Sequence, residues 1–221
     1  MLYRWLGLFF LSGTLSYAAQ PIPKAQELFV PYWSSEPGWD TQLQLRNKQV
    51  STSLTVTPVL RTASGREISL TPLTIRANES VSVWVSEGLL EHAPDLLSQS
   101  GSYGSVVFRF VSPAAVGLHA TAIVMLNGQP ITVRNGNRAA WRRAAKSGGS
   151  EAFSLEGVWW HPRAGLSDVL VVSNSSGNKV NGSLSLFAAT GRRWSQPMAL
   201  GPRQTERIAV NDYVKRVDIP R

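Results

Sequence analysis

The sequence predicts an all-β protein: a β-sandwich followed by a second, shorter copy of the same β unit. Three observations predict it. Apolar and polar residues alternate over short runs such as TQLQLRN (41–47) and DVLVVSN (168–174), which is the period of a half-buried strand. Those runs lie in stretches that share an outline, YWSSEPGWDTQLQLRN (32–47) and WWHPRAGLSDVLVVSN (159–174), with glycine and asparagine both displaced by 127 positions. Turn residues then separate further strand-like runs in both halves of the chain, the punctuation expected of antiparallel sheets.

The first eighteen residues combine Arg4, an apolar run from Trp5 to Leu11 and a small-residue ending at Ala18. This is the pattern of a secretory signal peptide (1–18), and the apolar run is too short to span a membrane. Residues 19–28 read as an N-terminal tail and 29–134 as the first domain. In it, Tyr32-Trp33 is expected to pack under the sandwich, and Leu43 and Leu45 to face its core. Asn47 is expected to close a turn through its side chain, as Asn174 would in the second copy.

STSLTVTPVLRTASGR (51–66) then answers to VNGSLSLFAATGR (180–192), each closing on a hairpin glycine, Gly65 or Gly191, for which positive φ is expected. LTIRANESVSVWV (73–85) answers to MALGPRQTERIAV (198–210), with Val83 and Val85 matching Ile208 and Val210. Helix starts are expected at Ser86 and Asn211, displaced by 125 positions. Three more strand-like runs follow between 103 and 134, the last two joined by an Asn127-Gly128 hairpin turn. About seven strands result, which makes the first domain immunoglobulin-like.

Residues 135–155 read as a basic linker. Within RNGNRAAWRRAAKSGGS (134–150), Ala and Arg content would allow a short helix from Arg138 to Lys146. Residues 156–221 form the second, shortened β domain.

The openings GWDTQLQLRN and GLSDVLVVSN, with the glycine-ended hairpins after them, resemble a group of secreted bacterial β-sandwich tandem-repeat proteins. Units of that group open with GW-x-T-x-L-x-L-x-N. The resemblance covers roughly 30–134 and 157–217; the second unit departs from it at Leu166 and Asp168. It implies a non-catalytic envelope or extracellular module and carries over no catalytic residue.

Chemistry is sparse. The chain has no cysteine, which excludes disulfides, thiol catalysis and thiolate metal sites. His92, His119 and His161 show no metal-ligand spacing; His119 is expected partly buried in a strand, and His161 lies in a loop after Trp159-Trp160. Nucleophile-elbow and phosphate-loop patterns are missing. The S-x-x-K match Ser176–Lys179 falls in a turn, and Asp40 and Asp168 read as turn or strand-edge charges. No catalytic residue, cofactor or metal is expected, and the chain reads as a non-enzyme.

Recognition is the better reading. Tryptophans beside basic residues combine an apolar face with positive charge, so the candidate binding surface is Trp141, Arg142, Arg143, Trp159, Trp160, His161, Arg192, Arg193 and Trp194. The formal net charge of +8 and pI near 10.3 favour an anionic glycan or lipid surface. Export to the periplasm or extracellular space makes nucleic acid an unsuitable partner, and no transmembrane segment follows the signal. The expected function is a structural or binding protein of the cell envelope, with an open strand edge in the second unit available to an envelope protein or another copy. A periplasmic assembly chaperone and a carbohydrate-binding module with exposed tryptophans are the alternatives.

Overall fold

The computed structural model describes residues 24–112, 117–131, 142–143, 153–154, 169–187 and 190–212. It is all-β. The first unit holds β1 (Lys24–Ser34), β2 (Trp39–Asn47), β3 (Leu54–Thr62), β4 (Glu67–Ser69), β5 (Leu73–Ile75), β6 (Ser80–Trp84), α1 (Val85–His92), β7 (Tyr103–Ser112), β8 (Leu118–Leu126) and β9 (Gln129–Pro130). All its ladders are antiparallel. One sheet runs β1-β7-β3-β4, with β5 also on β3, and the other runs β6-β2-β8-β9. Leu60, Val106 and Phe108 from the first sheet share one buried cluster with Leu43, Leu45 and Leu118 from the second, so the core lies between the sheets.

Several sequence expectations hold in detail. Leu43 and Leu45 are buried while Gln44 and Arg46 between them are exposed, as period-2 alternation requires. Gly65 and Gly191 have φ of +90° and +83°, and the Asn127-Gly128 turn has φ of +51° and +76°. Asn47 closes its turn: its amide donates to the carbonyls of Thr52 (2.8 Å) and Ile75 (3.1 Å), and its oxygen accepts from Gln49 N–H (2.9 Å). Asn174 does the same, donating to Asn178 (2.7 Å) and Gly201 (2.8 Å) and accepting from Ser176 N–H (2.9 Å).

Other expectations are corrected. Among the described residues the first unit has nine strands where about seven are expected, and three of them, β4, β5 and β9, are short pairings. The first strand begins at Lys24, inside the expected tail, since β7 pairs with it from Ser34 back to Lys24. A bulge between Val30 and Trp33 absorbs Pro31, which an edge strand tolerates. The bulge also separates the aromatic pair: Trp33 is fully buried, with its indole N–H shared between the carbonyls of Arg61 (3.1 Å) and Ser105 (3.0 Å), whereas Tyr32 turns towards the second unit.

The run 73–85 is split between sheets. Asn78, at φ +59°, carries the chain from β5 to β6. Ser86 does not cap α1; Trp84 occupies that position without a side-chain bond. Asp40 caps the helix from outside, accepting from Ser86 N–H (3.2 Å) and Ser86 Oγ (2.6 Å). His119 is exposed, because β8 places it on the outer face opposite Arg46.

In the linker, β10 (Arg142–Arg143) pairs with β11 (Phe153–Ser154). The expected helix over 138–146 is therefore extended at its centre; short helices have too little intrinsic stability to compete with a ladder. The second unit holds β12 (Val169–Ser173), β13 (Val180–Phe187), β14 (Arg193–Leu200) and β15 (Thr205–Ala209), paired as β12-β15 and β13-β14. Leu170 faces Ile208 as Leu43 faces Val83, and Val180 faces Leu200 as Leu54 faces Ile75. Arg203, at φ +58°, carries the chain from β14 to β15.

Asn47 is fully buried and satisfies three backbone groups on separate segments, so Asn47→Ala strands all three. The expected loss is about 3 kcal/mol in urea unfolding. Gln26→Ala, at the partly buried edge of β1, provides a milder comparison.

Candidate functional site

The first convergence of polar side chains forms where the two units meet. The bulge in β1 and the turn after it bring Tyr32, Ser34 and Glu36 together, and strand alternation on β15 turns Arg207 towards them. The Arg207 guanidinium grips both Glu36 oxygens, Nη1 on Oε2 and Nη2 on Oε1 at 2.9 Å. Nη1 also donates to the Tyr32 hydroxyl (3.3 Å), and the guanidinium lies 4.0 Å from the Tyr103 ring centroid. Glu36 further accepts from Gly101 N–H (2.8 Å) and Ser34 Oγ (3.3 Å).

Glu36 is 8% exposed. Burial pushes its carboxyl pKa up, but the bonds from Arg207, Gly101 and Ser34, with the Arg207 charge, outweigh burial and hold it below the ordinary value. Arg207 is desolvated too, yet Glu36 and Tyr32 keep its pKa raised. Every strong acceptor here is already occupied by the protein, so the cluster acts as a latch. Around it, Ser173 Oγ donates to Pro31 O (2.8 Å), Thr205 N–H to Ala63 O (3.1 Å) and Arg61 Nη1 to Ser175 O (3.2 Å).

A second charged group borders the latch. Glu67 is met by Arg61 (3.0 Å), Arg109 (3.0 Å) and Arg203 (3.4 Å), and Arg109 also pairs with Glu27 (2.9 Å). Desolvation raises the Glu67 pKa, but the arginines lower it by more. Arg203 comes from the second unit, so this network also spans the junction.

Of the candidate surface, Trp141, Trp159, Trp160 and His161 lie outside the described residues, as does Asp168. Arg142 and Arg143 are described only as the backbone of β10. Arg192, Arg193 and Trp194 lie together at the end of the β13-β14 hairpin. Arg192 stacks 5.0 Å from the Trp194 ring centroid, and Arg193 lies 5.6 Å from that of Phe187 while donating from Nη2 to Ser185 Oγ (3.1 Å). Phe187, 68% exposed, completes this basic and aromatic tip. Its alternation marked it as a strand residue, and only the hairpin register places it beside Arg193.

A cleft on the first unit has no mark in the sequence. Trp39 and Asp40 at the start of β2, Trp84 and Glu87 around the start of α1, and Met125 near the end of β8 line a space of about 540 Å³. They come from three separate segments of the chain; pairing of Gln42 with Trp84, and of Asp40 with Met125, brings them together. Among the described residues, no three His, Asp or Glu side chains gather as metal ligands, and no helix is long and apolar enough to cross a membrane.

The latch makes stability pH-dependent in a defined direction. Because Glu36 has a lower pKa folded than unfolded, its contribution is complete above the ordinary value of 4.5 and fades as pH falls through the lowered one. Urea unfolding between pH 7 and 3 should show a shallower acid loss for Glu36→Gln than for the wild type. Arg207→Met leaves Glu36 buried and unpaired and should cost about 3 kcal/mol at pH 7. No protein-family model, curated protein or solved structure matches the chain.

Proposed function

We propose that the chain is an exported, non-catalytic binding protein of the cell envelope or extracellular space, whose second unit accepts strands from another polypeptide. The two units are read as copies of one immunoglobulin-like design. In the first, β2 lies between β6 and β8, and β3 lies between β7 and the β4 and β5 pair. In the second, β12 and β13 are the counterparts of β2 and β3, and among the described residues each has a neighbour on one side only.

The observation that carries the reading is exposure at matched positions. Leu54 is 2% exposed while its counterpart Val180 is 46% exposed. Leu43 and Leu45 are fully buried, whereas Leu170 and Val172 are only half-buried. Apolar residues arranged for a sandwich interior, but left at the surface, favour burial by an added strand. Where the first unit has β7 and β8, consecutive strands in opposite sheets, the second unit would take an equivalent pair from its partner. Main-chain bonds would provide affinity, and the half-buried positions would select alternating apolar side chains. Arg192 and Arg193 at the hairpin tip favour an anionic partner.

The probe is a synthetic peptide of residues 103–126, the first unit's own β7 and β8. Titrated calorimetrically into the purified chain, it should bind with a negative heat-capacity change, the mark of apolar burial, and Val180→Lys should abolish binding. A chain that ignores the peptide and remains a monomer by light scattering would contradict the proposal.

A further inference from the structure

The cleft on the first unit differs chemically from the rest of the molecule. In a chain of net charge +8, none of its lining residues is basic, and two are carboxylates. Asp40 accepts from Thr41 N–H and from Ser86, but it makes no ion pair among the described residues. Glu87, exposed in the first turn of α1, has no ion-pair partner among the described residues. Both tryptophans are only partly buried, and Met125 provides a further apolar wall. Gly128 at the rim has φ of +76° and open space where a side chain would stand.

The scaffold accounts for Asp40 through its bonds to the start of α1, but not for the two tryptophans beside it. At the displacement that superposes Asn47 on Asn174, Leu166 and Ser167 stand where the first unit has Trp39 and Asp40. Ala209 pairs with Val169 where Trp84 pairs with Gln42. The β12-β15 ladder thus forms with Ala209 where Trp84 stands, so strand pairing does not require that tryptophan.

We propose that this cleft binds an organic cation: an ammonium or guanidinium group on a short apolar stem. Tryptophan faces attract such cations through their π density and shelter the stem, while Asp40 and Glu87 supply negative charge that no described residue pairs with. A neutral sugar would also stack on tryptophan, but it makes no use of two carboxylates without a basic neighbour. The cation could be a free amine or a lysine or arginine side chain of a basic peptide; the chemistry at the cleft is the same.

The test uses the purified chain with 5-fluorotryptophan, its fluorine resonances assigned through Trp39→Phe and Trp84→Phe. Butylammonium, butylguanidinium and the neutral analogue butanol are titrated separately, followed by a lysine-rich peptide and a neutral oligosaccharide. The Trp39 and Trp84 resonances should shift saturably with both small cations. Glu87→Gln, at an exposed position, should weaken them about fivefold while the other tryptophan resonances stay in place. A tighter response to the peptide would assign the site to a protein partner, and an equal response per cation to a free amine; both support the proposal. Saturation by butanol at the same concentration, by the oligosaccharide alone, or by nothing would overturn it.

Discussion

A buried amide at the end of one strand holds each unit of this protein together. With no cysteine in the chain, the crossings between sheets must be fixed by hydrogen bonds. Asn47 does this by tying the end of β2 to the loop before β3 and to the end of β5. Its donors and acceptor meet backbone groups that would otherwise be buried unpaired. Asn174 repeats the device between β12 and the end of β14. Around it, Asn78 N–H bonds to Gln49 O as Arg203 N–H bonds to Ser176 O, so each crossing has the same local wiring. An aspartate could not replace either residue, since it lacks the two amide donors.

Once both crossings are set, the latch follows from register. Tyr32 is turned outward by the bulge in β1, Glu36 is held by Gly101 N–H, and Arg207 projects from β15 into the space between them. A bidentate arginine on a buried carboxylate fixes orientation as well as proximity. The second unit is therefore anchored along one side, at β12, β15 and the 201–204 turn, while its apolar positions at Val169 and Val180 stay exposed. In the proposed reading, the second unit is anchored on one side and open on the other, like the first unit without β7 and β8.

The features legible in sequence were those set by neighbours in the chain. Alternation located the strands, glycine and asparagine located the turns, and the shared displacement aligned Asn47 with Asn174. Features set by distant contacts were not legible. Glu36 and Arg207 are 171 residues apart, and nothing local marks either as half of a pair. Asp40 looked like a turn residue because its partner Ser86 lies 46 positions away. Trp39 and Trp84 come together around one cleft only through the β2-β6 register, which no local pattern reveals. The helix expected over 138–146 rested on composition alone, and a strand pairing displaced it at Arg142 and Arg143.

Hydrogen exchange on the isolated chain tests the central claim most directly, by comparing the amides of Leu170 and Val172 with those of Leu43 and Leu45. An anchored but unfinished second unit predicts that β12 exchanges through local opening, at rates far above those of β2, and that Arg207→Met accelerates β12 further while leaving β2 unchanged. Equal protection of the two strands would mean that the second unit already completes its own core, and the account of it as a strand acceptor would be wrong.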